Sequence, residues 1–392
     1  MKVFLNTSPL LRPKAGIGYY VQNIFDRLNQ DPEITIIASH SPAGVRLGRF
    51  TTLLSSFPRR VFGEYYPTKL AGCFYDLLLS PFSYSSQGKI TNKVSVDADI
   101  YHETTHDVIP GILESGKDVK FIADIHDLSP LVGPQWHLPE GVVDFARSFD
   151  KLINADVIIT KSWFVANELV ERFSLPQEKI RVVPNAPAAL YRRVVAPASM
   201  RELIHKRIPT YSGKPFILYT GTIEPRKNLE TLMNAFSNLR NSYDVDLIIA
   251  GGFGWKYHEL LKMPVGLGRN KVIFTGYVTE EEMLALYNQA AIFVFPSWYE
   301  GFGMPPLEAM ACGVPVIVSN AGSLPEVTAD AALTFDPARP EELTYLMEKL
   351  LDSESLMEEL GRKGMKRAGD FSWERIVADI RDIYKAVMGP TP

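Results

Sequence analysis

The sequence predicts an α/β protein built from two Rossmann-like domains of similar size. Short apolar runs alternate with amphipathic helical segments along most of its 392 residues, a pattern typical of βαβ units and parallel sheets. The alternation lapses once, between Pro184 and Pro215, and then restarts. A length of 392 residues, at roughly 150 residues per domain, also favours at least two domains.

The expected elements follow this rhythm along the chain. Strands are expected in the first half near residues 2–6, 34–39, 100–102, 120–123, 157–160 and 181–183. Helices are expected after Gly16 and over residues 142–154 and 163–173. Strands are expected in the second half near residues 216–220, 247–250, 272–275, 292–295 and 316–319. The pattern assigns residues 1–193 to a first domain, 194–370 to a second, and 371–392 to a closing amphipathic helix.

The composition excludes several classes of protein. The net charge of −4 gives no overall attraction for nucleic acid. Cys73 and Cys312 lie far apart, which argues against a disulfide framework and favours a reducing compartment. The chain begins on a strand-like run without signal-peptide organisation, and no apolar run reaches the roughly 18 residues of a spanning helix. We therefore expect a cytoplasmic protein, one that could still touch a membrane surface.

The segment 296–310 carries the most functional information. It reads as the end of a strand, a glycine loop and a helix opened by prolines. Gly301 and Gly303 let backbone amides approach a ligand closely, and a helix start can hold phosphate. Glu308 suits the hydrogen bonds of a ribose diol, and Glu300, eight residues earlier, could face a sugar. The structural alternative is a plain strand-to-helix connection in which the helix dipole favours Glu308.

Two adjacent cations, Arg226 and Lys227, lie between a strand and the helix that starts near Asn228. Cations at a helix N-terminus are locally unfavourable without an anion, so this pair predicts a diphosphate site. The alternative is a solvated pair in a loop.

Two further motifs lie at the ends of strands in the first half. His126-Asp127 follows the strand at 120–123, at the sheet edge where α/β proteins place ligands, although a lone histidine is often structural. Gly16-Ile17-Gly18 opens the first helix, but it lacks the third glycine and the spacing of a nicotinamide-binding fingerprint.

Three segments imitate metal-binding motifs. Residues 102–106 read His-Glu-Thr-Thr-His, yet the zinc motif of that pattern requires a helix, and this stretch follows a strand. Asp97-Ala98-Asp99 and Asp244-Val245-Asp246 both precede apolar strands and are interpreted as strand starters. No metal site is predicted.

With its Glu-x7-Glu spacing from Glu300 to Glu308, the chain resembles the retaining glycosyltransferases of family 4, which have the GT-B fold. In that fold two Rossmann-like domains face each other across a cleft. The resemblance continues through residues 219–228, 274–278 and 311–326. It is dense from about residue 216 to 376, and the start of the tail, Phe371-Ser372-Trp373, resembles the family's final helix, which crosses back onto the first domain.

The resemblance implies a nucleotide-sugar donor and a role for each matched residue. The implied catalytic residues are Glu300, His126, Arg226 and Lys227. The implied donor-binding residues are Glu308, Gly303, Met304, Gly221, Thr222, Tyr277, Val278, Ser323, Leu324, Gly16 and Gly18. Thr222 stands where some relatives carry a third basic residue, which places more of the diphosphate charge on Arg226 and Lys227. No cofactor or metal is expected besides the nucleotide sugar.

The expected reaction is transfer of a hexose to a glycan or polyprenyl-linked glycan acceptor with retention at the anomeric carbon. The stereochemistry comes from the resemblance, as does a weak similarity to bacterial GDP-mannose enzymes. Two alternatives remain open at this point: a sugar-nucleotide epimerase of the same architecture, and a catalytically degenerate nucleotide-sugar-binding subunit.

Residues 41–93 differ in character from the rest of the chain. They hold seven Lys and Arg against two Asp and Glu, interleaved with many aromatic and aliphatic side chains. This combination predicts a helical excursion of the acceptor domain that rests on an anionic membrane surface. The alternative is that the aromatics form core and the bases a solvated face.

Overall fold

Two six-stranded parallel sheets form the framework of the protein. The computed structural model describes residues 1–11, 16–39, 97–106, 119–195, 197–239, 243–258, 260–262 and 270–389. The predicted basic and aromatic excursion at 41–93 lies outside the described residues, so its membrane contact stays a prediction.

The strands are β1 Lys2–Leu5, β2 Thr35–Ala38, β3 Ile100–Glu103, β4 Lys120–Ile125, β5 Val157–Thr160, β6 Ile180–Val182, β7 Phe216–Thr220, β8 Asp246–Ala250, β9 Val272–Gly276, β10 Ile292–Phe295, β11 Val316–Ser319 and β12 Ala332–Phe335. The α-helices are α1 Gly16–Leu28, α2 Ser129–Val132, α3 Pro139–Leu152, α4 Trp163–Phe173, α5 Pro197–Arg207, α6 Leu229–Ser237, α7 Glu280–Gln289, α8 Met304–Ala311, α9 Leu324–Thr328, α10 Pro340–Leu351, α11 Glu354–Gly369 and α12 Trp373–Met388.

The strand order of each sheet determines where its loops meet. The first sheet has the order β2-β1-β3-β4-β5-β6, and the second has the order β12-β11-β10-β7-β8-β9. In the second sheet β7 pairs with β8 on one side and with β10 on the other, so the winding reverses between β7 and β10. Ligands of doubly wound sheets bind at the carboxyl ends of the strands beside such a reversal.

The described residues form two compact units. The first comprises residues 1–123 and 384–392, and the second comprises residues 124–383. In the first unit, helix α1 buries Tyr20, Ile24 and Leu28 at four-residue spacing, as expected for an amphipathic helix on a sheet. The end of α12 belongs to this unit, where the Tyr384 hydroxyl and Nδ1 of His102 are 2.6 Å apart.

The second unit has a continuous apolar core under and over its six-stranded sheet. Strands β7, β8 and β10 are buried along their whole length, which explains why each contains a run of apolar residues in the sequence. Fully burying one such side chain contributes about 1.5–3 kcal/mol.

The predicted fold class, an α/β protein with two Rossmann-like domains, is confirmed by these two sheets. All eleven expected strands are present, whereas β12 was not expected, because its alternating Ala-Leu-Thr-Phe run is short and only Phe335 is buried. Helix α3 begins at Pro139, three residues before the expected start, since a proline suits the first turn.

The predicted domain boundaries at 193/194 and 370/371 stay predictions. No described helix is long and apolar enough to span a membrane.

Candidate functional site

A one-turn 3₁₀ helix, Pro225–Lys227, presents the two cations beyond the end of β7. Asn228 follows it in the left-handed region, with φ of 53°, and caps the start of α6. Its side-chain amide donates to the carbonyls of Pro296, at 3.1 Å, and Pro337, at 2.9 Å. These bonds fasten the cation turn to the loops after β10 and β12, so that Arg226 and Lys227 have a fixed position.

Both cations contact the carboxylate of Glu300 in the loop after β10. The Lys227 Nζ lies 2.6 Å from Oε1, and the Arg226 Nη1 lies 3.1 Å from Oε2. The side chains of the two cations are 12% exposed and that of Glu300 is 10% exposed, so the pairs are shielded from solvent. Burial disfavours the ionised carboxylate, but the two cations outweigh burial and lower the pKa of Glu300 to about 2.

Arg226 also contacts a second carboxylate. Its Nη2 lies 2.8 Å from Oε1 of Glu224, and its Nη1 also donates to the Tyr299 carbonyl at 2.8 Å. Despite burial, the neighbouring carboxylates of Glu300, Asp127 and Glu224 raise the pKa of Arg226. Its Nε is buried without a hydrogen-bond partner among the described residues. A permanent cation with an unsatisfied donor suits an anionic ligand.

The loop that follows β4 meets the Glu300 loop directly. A Cβ atom built on Gly301 would lie 1.9 Å from the carbonyl oxygen of His126, so only glycine fits this contact. The structure thus brings His126, Asp127 and Glu300 into one neighbourhood. Ser162, the N-cap of α4, donates to the Gly301 carbonyl at 2.8 Å and holds the same loop from another side.

Ser323 and Leu324 support the Glu300 loop from the segment after β11. The Ser323 hydroxyl donates to the carbonyls of Glu300 and Phe302, both at 2.9 Å. The Leu324 side chain packs where a Cβ on Gly303 would stand, 2.6 Å away.

Helix α8 begins directly after Gly303, whose φ of 100° favours glycine. Met304 is its first residue, and two prolines, which have no N–H group, follow it. Glu308 lies in its second turn and accepts a hydrogen bond from the Tyr287 hydroxyl at 2.9 Å. Burial raises the pKa of Glu308 to about 7, and the Tyr287 hydrogen bond opposes this rise.

The remaining predicted donor residues of the second unit lie at the ends of β7 and β9. Gly221 and Thr222 follow β7, and the Gly221 amide donates to the Ala250 carbonyl at 2.9 Å. Tyr277 follows β9 with a side chain 69% exposed, whereas Val278 is buried. All four residues therefore lie at the carboxyl edge of the second sheet.

Gly16 and Gly18 belong to the first unit, where they form the first turn of α1. The segment His102–His106 lies in the same unit, and its first two residues belong to strand β3. A strand points successive side chains to opposite faces, which excludes the helical zinc motif. Among the described residues, no three His, Cys, Asp or Glu side chains are grouped to hold a metal ion.

Three supporting residues of the site were not expected from the sequence: Glu224, Tyr287 and Tyr299. Glu224 is visible only as the acid two residues before Arg226, and the tyrosines carry no motif of their own. The Tyr299 hydroxyl donates to Glu168 at 2.5 Å, a contact between residues 131 positions apart that no local pattern indicates.

The comparisons with known proteins agree with this geometry. The family model described as "Glycosyl transferases group 1" matches residues 200–367. The O-antigen chain mannosyltransferase B of Escherichia coli is 34% identical over 268 residues, covering 67% of this chain and 70% of the relative. The chain belongs to the glycosyl transferases group 1 family. It is a glycosyltransferase.

This glycosyltransferase is also similar to part of a larger mannosyltransferase and to several solved structures. The serotype-specific mannosyltransferase WbdA of Escherichia coli is 33% identical over 269 residues, which cover 65% of this chain but only 32% of WbdA. Sucrose-phosphate synthase from Thermosynechococcus elongatus covers 98% of both chains with a TM-score of 0.69 and 21% identity. Anabaena HepE in complex with UDP-glucose also covers 98% of both chains, with a TM-score of 0.68 and 16% identity. These structures confirm the GT-B fold.

Proposed function

We propose that this glycosyltransferase moves a hexose, mannose in the first instance, from a nucleoside-diphosphate donor to a glycan acceptor, with retention and without a metal ion. The observation that supports the donor site is the buried convergence of Arg226 and Lys227 on Glu300, together with an Arg226 Nε that has no hydrogen-bond partner among the described residues. Mannose is favoured because the relatives named above are mannosyltransferases, and GDP-mannose is the donor we would test first.

In this proposal the donor diphosphate takes over the cations that Glu300 now neutralises. Arg226 and Lys227 would bind the phosphate oxygens, together with backbone amides at the start of α8. Charge develops on the leaving diphosphate as the bond to the anomeric carbon breaks. Two cations fixed in a shielded site stabilise that charge without reorganising, which is the main source of rate acceleration we assign to the protein.

Glu308 and Tyr277 would hold the nucleoside. The Glu308 carboxylate, when ionised, can accept hydrogen bonds from both hydroxyls of a ribose. The exposed Tyr277 ring and the backbone before Val278 would lie against the base. Glu300 and His126 would then orient the sugar, since their loops are in contact through Gly301.

The transfer step is proposed as a front-face displacement. The acceptor hydroxyl oxygen bonds to the anomeric carbon on the face from which the phosphate oxygen departs, and its proton passes to that phosphate oxygen. No covalent intermediate on the protein is required. The products are a glycoside with the donor's anomeric configuration and a nucleoside diphosphate.

The acceptor is proposed to be a growing glycan, either free or linked to a polyprenyl carrier. The support is the name of the O-antigen chain mannosyltransferase, a relative of which this chain covers 70%. We place the reaction in the cytoplasm, with residues 41–93 as the candidate contact with the inner membrane face. An epimerase is not favoured, because the relatives quoted transfer sugars, and the paired cations and carboxylates argue against a degenerate subunit.

A panel of nucleotide sugars tests this proposal. The protein is incubated with GDP-mannose, UDP-glucose or UDP-N-acetylglucosamine, with and without methyl α-mannoside or a mannobiose, and products are followed by NMR. We expect mannosyl transfer with an α-configured anomeric proton and release of GDP. A β-linked product would reject retention, an altered donor sugar without acceptor would indicate an epimerase, and binding without turnover would indicate a non-catalytic subunit.

A further inference from the structure

A chain of three side chains ends on the carboxylate of Glu308. The hydroxyls of Thr220 and Tyr287 are 2.9 Å apart, and the Tyr287 hydroxyl donates to Oε2 of Glu308 at 2.9 Å. Thr220 is the last residue of β7, Tyr287 lies in α7 and Glu308 in α8, so three elements meet at this point. Tyr287 is fully buried and Thr220 is 2% exposed.

Counting donors gives the chain a direction. A tyrosine hydroxyl has one hydrogen, and here it is directed at the Glu308 carboxylate. The Tyr287 oxygen can therefore only accept from Thr220, whose own hydroxyl hydrogen completes the bond. The chain thus runs from Thr220 through Tyr287 to Glu308, and it delivers a hydrogen to one carboxylate oxygen while the other stays available.

The tyrosine ring is held in place by packing. It stands edge-on to Tyr191, with ring centroids 5.4 Å apart, and lies 5.7 Å from the ring of Phe293. Removing the hydroxyl alone would leave these ring contacts intact. The substitution Tyr287→Phe therefore removes two hydrogen bonds and keeps the ring contacts.

The titratable groups around Glu308 are few among the described residues. Tyr287 faces it from α7 and the Cys312 thiol from the end of α8, while Tyr191 reaches it only through Tyr287. No described cation compensates its charge, in contrast to Glu300. Burial raises the pKa of Glu308, the tyrosine hydrogen bond is the contact that lowers it, and the balance of the two is a pKa of about 7.

We propose that Tyr287, oriented by Thr220, is a positioning residue that favours the ionised form of Glu308 and aims its second oxygen at the ribose diol of the donor. The inference rests on the proposed function, because it takes Glu308 as the ribose ligand. It adds a residue that never touches the donor but determines how the donor binds as a function of pH.

The test is the pH dependence of GDP binding to Tyr287→Phe, measured by calorimetry from pH 7 to pH 9. If loss of the hydrogen bond increases the proton affinity of Glu308 tenfold, its ionised fraction at pH 7 falls from about one half to about one tenth. The ratio of the variant's Kd to the wild-type Kd should then be about five at pH 7 and approach one at pH 9. Taking the ratio cancels the titration of GDP itself.

Three controls separate positioning from general damage. Tyr243→Phe also removes a tyrosine hydroxyl that donates to a carboxylate, that of Asp352 at 2.8 Å. Tyr243 precedes β8 and so lies away from the carboxyl edge of the sheet, where the donor is proposed to bind. It should bind GDP like wild type at every pH. Thr220→Val should shift the ratio in the same direction as Tyr287→Phe, by less. With 2′,3′-dideoxy-GDP, which lacks the diol, the ratio should stay near one.

The outcomes distinguish this inference from the proposed function. Failure of the wild type to bind GDP, UDP or another nucleoside diphosphate would reject the donor site itself. Normal wild-type binding with a ratio of one at pH 7, or with a ratio independent of pH, would overturn the role of Tyr287 and leave the donor site standing.

Discussion

Replacing Glu300 by glutamine should strengthen binding of a nucleoside diphosphate and weaken sugar transfer in the same protein. The Glu300 carboxylate lies 2.6 Å from the Lys227 ammonium and 3.1 Å from the Arg226 guanidinium. A diphosphate must displace this carboxylate to reach both cations. Glutamine keeps the shape of the side chain and removes the competing charge.

The size of the competition follows from the pKa of Glu300. Its fall from 4.5 to about 2 corresponds to about 3 kcal/mol of net stabilisation of the ionised form. That stabilisation is present above pH 4.5 and is lost as the pH falls toward 2, because the lowered pKa belongs to the folded state. Because other groups also compensate the cations, we expect only part of it to appear in binding, as an affinity gain of about three- to tenfold.

The assay is calorimetric titration with GDP at pH 7.5 and constant ionic strength, combined with thermal unfolding and transfer rates. The variant should bind GDP more tightly, unfold at a lower temperature, and transfer mannose at least tenfold more slowly. Glu341→Gln is the matched control, since Glu341 is 64% exposed and pairs with Arg339 at 3.1 Å. Weaker GDP binding by Glu300→Gln would refute the competition and indicate that Glu300 supports the phosphate site.

Four further outcomes are expected. Arg226→Ala and Lys227→Ala should each lose a charge-assisted phosphate contact, about 1.5–3 kcal/mol, and so reduce transfer at least tenfold while circular dichroism stays unchanged. Transfer should continue in excess EDTA; loss of activity that manganese restores would contradict a metal-independent reaction. Glu308→Gln should raise the unfolding temperature at pH 8 but not at pH 4.5, because the pKa raised to about 7 makes the carboxylate destabilising at high pH. The 41–93 segment should carry the protein to anionic but not neutral liposomes in a salt-sensitive manner, and Arg59→Glu combined with Arg60→Glu should weaken this; equal partitioning with both lipids, or none at all, would reject the membrane contact.

The sequence was sufficient to predict the architecture. Buried strands such as β8 and β10 appear as short apolar runs, and α12 begins at the expected Phe-Ser-Trp stretch. Strand β12 was missed because only one of its residues is buried, so no apolar run marks it. Gly301 was expected to let backbone amides approach a ligand, which stays a prediction; the structure shows a different close approach, that of the His126 carbonyl.

The pairing of Glu300 with the two cations was not predicted from the sequence, although the predicted sheet topology would have allowed that prediction. Residues 226 and 300 are 74 positions apart, and local hydrophobic periodicity does not indicate contacts over such a sequence separation. A doubly wound sheet, however, reverses its winding between its first and fourth strands, which here are β7 and β10. Arg226 and Lys227 follow β7 and Glu300 follows β10, so the topology alone brings them to the same crevice. The topology does not determine the pKa values of these side chains, because those depend on burial and on contacts shorter than 3.2 Å. Two glutamates eight residues apart thus have pKa values of about 2 and about 7, and the difference lies in their neighbours: two cations for Glu300 and one tyrosine hydroxyl for Glu308.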